Sequence, residues 1–107
     1  MKISFDFDHT LSVKKWQQVA TALVKEGHEV WITTSRFHDT HKLNRFTHNS
    51  KVYAVADRVG ISRERIQYTN MLPKWSFLDG FDMHFDDDNV EIMDIQENLK
   101  ECTALLV

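Results

Sequence analysis

The apolar residues of this chain change their period after the first dozen positions, and that change decides what can be built from them. From Lys2 to Phe7, Ile3, Phe5 and Phe7 alternate with Ser4 and Asp6, the two-residue repeat of a strand. From Val13 onward, Val13, Trp16, Ala20, Leu23 and Val24 recur at spacings of three and four, the stripe of an amphipathic helix. Ser12 is placed to cap that helix, and Gly27 to end it as a C′ glycine. His28-Glu29-Val30-Trp31-Ile32-Thr33 follows at once as a second strand. Strand, helix and strand with short joints is a βαβ unit, whose crossover should be right-handed.

The same alternation continues. Ser35 to Lys51 is polar and rich in histidine, with no clean period, and reads as a loop or short helix. A helix starts near Ser50, carries Val52, Val55, Ala56 and Val59, and stops at Gly60. Ile61 to Glu64 is a turn, and Ile66 to Thr69 a short third strand. Pro73 biases Leu72 away from helix and can open a short helix over Lys74 to Leu78, broken by Gly80. Phe81 to Phe85 is a fourth strand that runs into Asp86-Asp87-Asp88. Asp88 or Asn89 caps a last helix bearing Val90, Met93 and Leu99, and Thr103 to Val107 is a fifth strand. The expected fold is α/β, a three-layer α/β/α sandwich around a five-stranded, mostly parallel sheet. Residues 1–107 should form one domain, as the length of 107 residues implies.

Composition narrows the classes. Apolar residues make up 42% of the chain, enough for a folded core. The net charge of −3 argues against a whole-molecule field for nucleic acid or anionic membrane. The charge is uneven, however. Arg36, Lys42, Arg45, Lys51, Arg58, Arg63 and Arg65 fall in one stretch, with His38, His41 and His48, while Asp79 to Glu101 is acidic. Cys102 is the single cysteine, so no intrachain disulfide forms and a reducing compartment is expected. Asp6 and Asp8 interrupt any signal-peptide core, and no apolar run reaches transmembrane length. A cytoplasmic protein without a membrane partner is the expectation.

In a parallel sheet, ligands sit beyond the carboxyl ends of the strands. That rule selects Asp6-Phe7-Asp8, Thr34-Ser35-Arg36, the loop before Lys74, and Asp86-Asp87-Asp88. Carboxylates brought together repel and need a proton or a cation. Oxygen ligands without cysteine or clustered histidine select a hard ion, and Mg²⁺ suits a site that handles phosphate. Thr34 offers a hydroxyl for phosphate oxygens, and Lys74 a point charge. A carboxylate, a metal, a hydroxyl and a lysine are the parts that phosphoryl transfer needs.

These segments resemble, in order, the four motifs of the haloacid dehalogenase (HAD) superfamily of phosphohydrolases. DFDHTL resembles the first, ITTSR the second, Lys74 after its loop the third, and HFDDD the fourth. The resemblance spans nearly the whole chain and implies a Rossmann-like sheet. It implies Asp6 as the nucleophile, through an aspartyl-phosphate, and Asp8 as general acid and then base. Thr34, with Thr10, Ser35, Arg36 and His9, would contact substrate, and Lys74 would hold charge. Mg²⁺ would be held by Asp6, the Asp8 carbonyl and Asp87, with Asp86 a direct or water-mediated ligand. Which acid of the triplet binds is left open, and Asp88 is assigned to the helix cap. Family members commonly have glycine where this chain has His9. The short first joint excludes one kind of cap insertion, and the helix and strand between Phe37 and Pro73 leave little room for the other.

The implied activity is a Mg²⁺-dependent phosphatase, a phosphoric monoester hydrolase with an open site. Its substrate is a nucleotide or a phosphate on a nucleic-acid or protein end. The competing class is a catalytically silent phosphate- or partner-binding module on the same fold. Trp16, Trp31 and Trp75 fall on apolar stripes and are expected in the core, as is Cys102.

Overall fold

The computed structural model describes residues 1–43 and 48–107; Arg45 of the basic stretch lies outside the described residues. Among the described residues, five strands form one sheet: β1 (Lys2–Phe5), β2 (Glu29–Thr34), β3 (Ile66–Tyr68), β4 (Met83–Asp86) and β5 (Thr103–Leu106). Their order is β3-β2-β1-β4-β5, and every pairing is parallel, where the sequence implied a mostly parallel sheet. The helices are α1 (Lys14–Lys25), α2 (Ser50–Val59) and α3 (Asn89–Asn98). A single 3₁₀ turn, Lys74–Phe77, stands in for the short helix expected after Pro73, and Arg63–Arg65 forms another.

Two cores flank the sheet and make the three layers. On one side, Trp16, Ala20, Leu23 and Val24 of α1 and Val52, Val55, Ala56 and Val59 of α2 pack against Ile3, Phe5, Val30 and Ile32. On the other, Leu78 and Phe81 pack with Ile92 and Ile95 of α3, with Cys102 and Ala104. Trp16, Trp31 and Trp75 are partly buried against these cores, as expected. The face of α3 is not the one expected. Val90 and Met93 are exposed, and Ile92 and Ile95 are buried, with Leu99 packed beside them. Isoleucine at 92 and 95 forms a competing three-residue spacing, and Asp88 and Glu91 at the helix start fix which face turns inward.

Three helix ends follow local chemistry and one departs from it. Gly27 has φ +90° and Gly60 φ +96°, the left-handed conformation that ends a helix. Asp88 caps α3, its Oδ1 accepting from Val90 N–H at 2.9 Å. Ser12 does not cap α1. The cap position is Val13, and the Ser12 hydroxyl instead accepts from His9 N–H at 3.0 Å. Its side chain is spent on the turn before the helix, so the first strand also stops two residues earlier than its apolar alternation implied.

Candidate active site

The strand order puts β1 at the centre, with β2 and β4 on either side. From β1 the chain winds outward to β2 and β3, then returns to β4 and β5. The crevice between the ends of β1 and β4 is the point where the winding reverses, which is where open parallel sheets bind ligands. Asp6 leaves β1 there and Asp86 ends β4. The two strands stay joined to their tips, since Asp6 N–H donates to Phe85 O at 2.8 Å, and the Phe5 and Phe85 rings stack at 4.7 Å.

Beyond Asp6 the chain makes a tight turn over Phe7–Leu11, closed by Leu11 N–H to Asp6 O and Ser12 N–H to Phe7 O. His9 sits at φ 62° and ψ 5°, left-handed backbone that costs a side-chain-bearing residue about 1 kcal/mol or more. This conformation is the physical reason for a glycine at that position. The turn sends Asp6 and Asp8 in different directions. Asp6 points into the crevice and is buried; Asp8 swings toward the end of β2.

Around Asp6 lies a compact charged cluster. Lys74 is 2% exposed, and its Nζ donates to Asp6 Oδ1 at 2.7 Å and to Asp86 Oδ2 at 2.6 Å. Carboxylate oxygens of Asp6, Asp86 and Asp87 lie within 4.8 Å of one another. Thr10 braces them from below, its hydroxyl 3.2 Å from Asp6 Oδ2 and 3.4 Å from Asp87 Oδ1. Asp86 is held by three donors: Lys74, His84 Nε2 at 2.8 Å on the same oxygen, and Asp88 N–H at 3.0 Å on the other. Lys74 is itself placed by its backbone, which donates to Glu91 Oε2 of α3 at 3.1 Å.

The cluster is short of positive charge. One lysine faces three carboxylates, and a buried Lys–Asp pair tolerates little excess. Burial pushes the Asp6 carboxyl up to about 7, with the nearby Asp86 adding to the effect and Lys74 only partly offsetting it. Burial also works against the charges of Asp86 and Lys74. For Asp86 it is outweighed by the His84 and Lys74 hydrogen bonds, which hold it below the usual carboxylate range. For Lys74 it is outweighed by Asp6 and Asp86, which raise it. His84 is pushed down by burial, and its neutral ring donates from Nε2 to Asp86, while Nδ1 has no partner among the described residues.

The donor set fits a hard divalent cation. A hard ion takes oxygen donors gathered at one point, and this cluster supplies three carboxylates within 4.8 Å of one another with uncompensated negative charge. The carboxylate of Asp8 is not one of them.

Asp8 is gripped by Arg36 in a two-pronged ion pair: Nε donates to Oδ2 at 2.9 Å and Nη2 to Oδ1 at 2.7 Å. The Arg36 hydrogen bonds hold Asp8 below the usual carboxylate range. Arg36 is fixed in turn by His48 O at 3.0 Å and by the Phe7 ring beneath it.

A cleft of about 450 Å³ opens above the cluster, lined by Asp6, Asp8, His9, Ser35, Lys74 and the acids Asp86 to Asp88. Ser35 reaches this cleft. Thr34 and Thr10 are fully buried beneath it, so both act on neighbouring protein groups; Thr34 Oγ1 accepts from Arg36 N–H at 3.3 Å. The loop after β3 is tied to this edge by Asn70 N–H to Arg36 O and Met71 N–H to Ser35 O.

No family model matches this chain, and no curated protein or solved structure matches it either. The site's chemistry therefore rests on its own atoms. Sequence reasoning had assigned no role to His84. The signal was present: in β4, His84 and Asp86 are two apart and share a face of the strand, so a histidine in an otherwise apolar run was aimed at the acid.

Proposed function

We propose that this chain is a Mg²⁺-dependent phosphomonoesterase of the HAD type, working through an aspartyl-phosphate on Asp6. The observation that carries this reading is the buried lysine bridging two carboxylates, 2.7 and 2.6 Å away, at the switch point of a parallel sheet. A structural ion pair needs one acid per base. Here the surplus acids line an open cleft, and a divalent cation restores the balance and offers its remaining coordination sites to a phosphate.

Asp6, Asp87 and Asp86 would hold the metal, with the Asp8 carbonyl as the further ligand the resemblance implies. Bound there, Mg²⁺ supplies charge stabilisation for the phosphoryl oxygens. The chain's own residues do the rest. Asp6 attacks phosphorus as its bond to the leaving oxygen breaks, and a proton passes from Asp8 to that oxygen. Water, giving its proton to Asp8, then attacks the phosphoryl group; the Asp6 oxygen–phosphorus bond breaks and inorganic phosphate leaves. Lys74 favours the ionised, attacking form of Asp6 against the burial that opposes it, and Ser35 at the cleft wall offers a donor to the phosphoryl group.

Arg36 sets a condition on this cycle. Its fork keeps Asp8 ionised, the form that accepts a proton from water. Donating a proton to the leaving group requires Asp8 to come free of Arg36, and an incoming phosphate that recruits the guanidinium achieves this. The same fork also favours a second reading, a silent phosphate-binding module in which Asp8 stays locked. Turnover of a generic phosphomonoester with Mg²⁺ decides between them. The expected result is hydrolysis that Asp6→Asn abolishes; Mg²⁺ binding without turnover, or activity retained in Asp6→Asn, overturns the phosphatase reading.

A further inference from the structure

The second notable surface lies beside the active site, along the seam between α1 and α2. Lys14, Gln18 and Ala22, and beside them Gln17, Thr21 and Lys25, form two neighbouring rows at four-residue steps and so occupy one face of α1. That face is about 16 Å long. Arg58 of α2 reaches across it to Gln17 Oε1 at 3.0 Å. Two adjoining hollows follow the seam, of about 330 and 390 Å³, and share Gln17 and Arg58. The second hollow is bordered by Lys51, Arg36 and Asp8, and Asp8 also lines the active-site cleft. The three spaces therefore lie in series, each sharing wall residues with the next, and mark a path from Asp6 to Lys25.

Beyond the acid-lined active-site cleft, the path has one sign of charge. Lys14, Lys25, Lys51 and Arg58 border it, and among the described residues none of them is paired with a carboxylate. The acid on its walls is Asp8, already neutralised by Arg36. This stands out in a chain of net charge −3. Cations spaced along the path, with Gln18 and Thr21 between them as neutral hydrogen-bonding groups, suit a ligand with repeated anions on a flexible chain. A lone phosphate or a small metabolite uses one end of such a path and leaves the rest without a role.

We propose that the α1–α2 groove seats the backbone of a single-stranded nucleic acid whose terminal phosphate lies at Asp6. This rests on the phosphatase reading for the terminal phosphate, while the groove itself makes a separate claim about binding. Four cations contacting four phosphates give a salt slope near −3 for log affinity against log salt. The last contacts, at Lys14 and Lys25, are the most remote from the chemistry.

The test is fluorescence anisotropy with labelled single-stranded oligonucleotides carrying a 3′- or a 5′-phosphate, on Asp6→Asn protein so that no turnover is needed. Lys14→Glu/Lys25→Glu in that background should weaken binding by tenfold or more and lower the salt slope by about one. Arg65→Glu/Lys100→Glu, which makes the same change in net charge off the groove, should leave affinity within twofold. Equal losses in the two double variants, salt-insensitive binding, or tighter binding of an acidic phosphoserine peptide overturns the proposal. If oligonucleotides bind as expected but no phosphomonoester is hydrolysed, the phosphatase reading falls and the groove stands. If phosphomonoesters are hydrolysed and oligonucleotides do not bind, the groove falls alone.

Discussion

Two residues of the first turn carry most of the tension in the site. His9 holds left-handed backbone at φ 62° while its side chain is exposed at the cleft. Glycine adopts that conformation freely but loses more entropy on folding, so His9→Gly should stabilise the protein by up to about 1 kcal/mol. Urea unfolding measures this, and a loss of stability would show that the imidazole makes a compensating contact. Asp6 is the second. Its folded pKa is raised to about 7 from 3.8, so between those values the folded state keeps a proton that the unfolded state has given up. Its contribution to stability therefore falls as pH rises from about 4 to about 7, and stays low above. Asp86, shifted the other way, contributes above its unfolded value and loses that contribution only as pH falls through its depressed one. In EDTA, Asp6→Asn should match the wild type near pH 4 and exceed it at pH 8 by on the order of 1 kcal/mol or more. Melting curves at the two values check this; a variant less stable than wild type at pH 8 contradicts it.

At the scale of elements, α3 does double work. Its first turn carries the cap Asp88 and the Glu91 carboxylate that places Lys74, and its start follows directly on Asp86 and Asp87, two of the acids proposed to hold the metal. Asp88→Ala should cost about 1 kcal/mol in unfolding free energy. It should leave Mg²⁺ affinity within about twofold, because the group that fixes one oxygen of Asp86 is the backbone N–H of residue 88, which alanine keeps; calorimetric titration with Mg²⁺ reads this, and a large loss of affinity would give the Asp88 carboxylate a part in the site. The elements themselves were legible from period and punctuation: glycines at 27 and 60 ended helices, and all five strands lay where apolar runs placed them. What escaped was whatever depends on contacts distant in sequence. Nothing local orders the sheet β3-β2-β1-β4-β5, joins Arg36 to Asp8, or turns Ile92 inward in place of Val90. Ser12 looked like a helix cap because its type and position suited one, but the strained turn beside it had the prior claim. The candidate residues were legible as a set because most of them lie at the end of a strand or in the turn that follows it, and Lys74 follows a loop marked by Pro73. Their division of labour was not, since burial of Thr10 and Thr34 and the grip on Asp8 arise only in the folded chain.

For the whole molecule, charge and stability are linked through the cluster at the centre of the sheet. A cation bound there favours the folded state in proportion to its occupancy, so Mg²⁺ at about 100 times its dissociation constant should add about 2.7 kcal/mol. For a domain of this size, that raises the melting temperature by roughly 10 °C or more. Asp87→Asn should shrink the rise while leaving the metal-free melt within about 0.5 kcal/mol, since Asp87 is exposed. Scanning calorimetry with and without Mg²⁺ checks both; an equal rise in the variant would remove Asp87 from the ligand set. Among the described residues, no helix is long and apolar enough to cross a membrane.

The central position of β1 has a consequence during synthesis. Ile3 and Phe5 pair with Met83 and Phe85, residues made about 80 positions later. At about 5–20 residues per second, the first strand waits roughly 4–16 s for its second neighbour. Through that interval Ile3 and Phe5 have one bare flank, and the nascent chain presents an adhesive edge to its surroundings. Translation speed, and the holding chaperones that meet the emerging chain, should therefore govern the yield of this protein more than its final stability does.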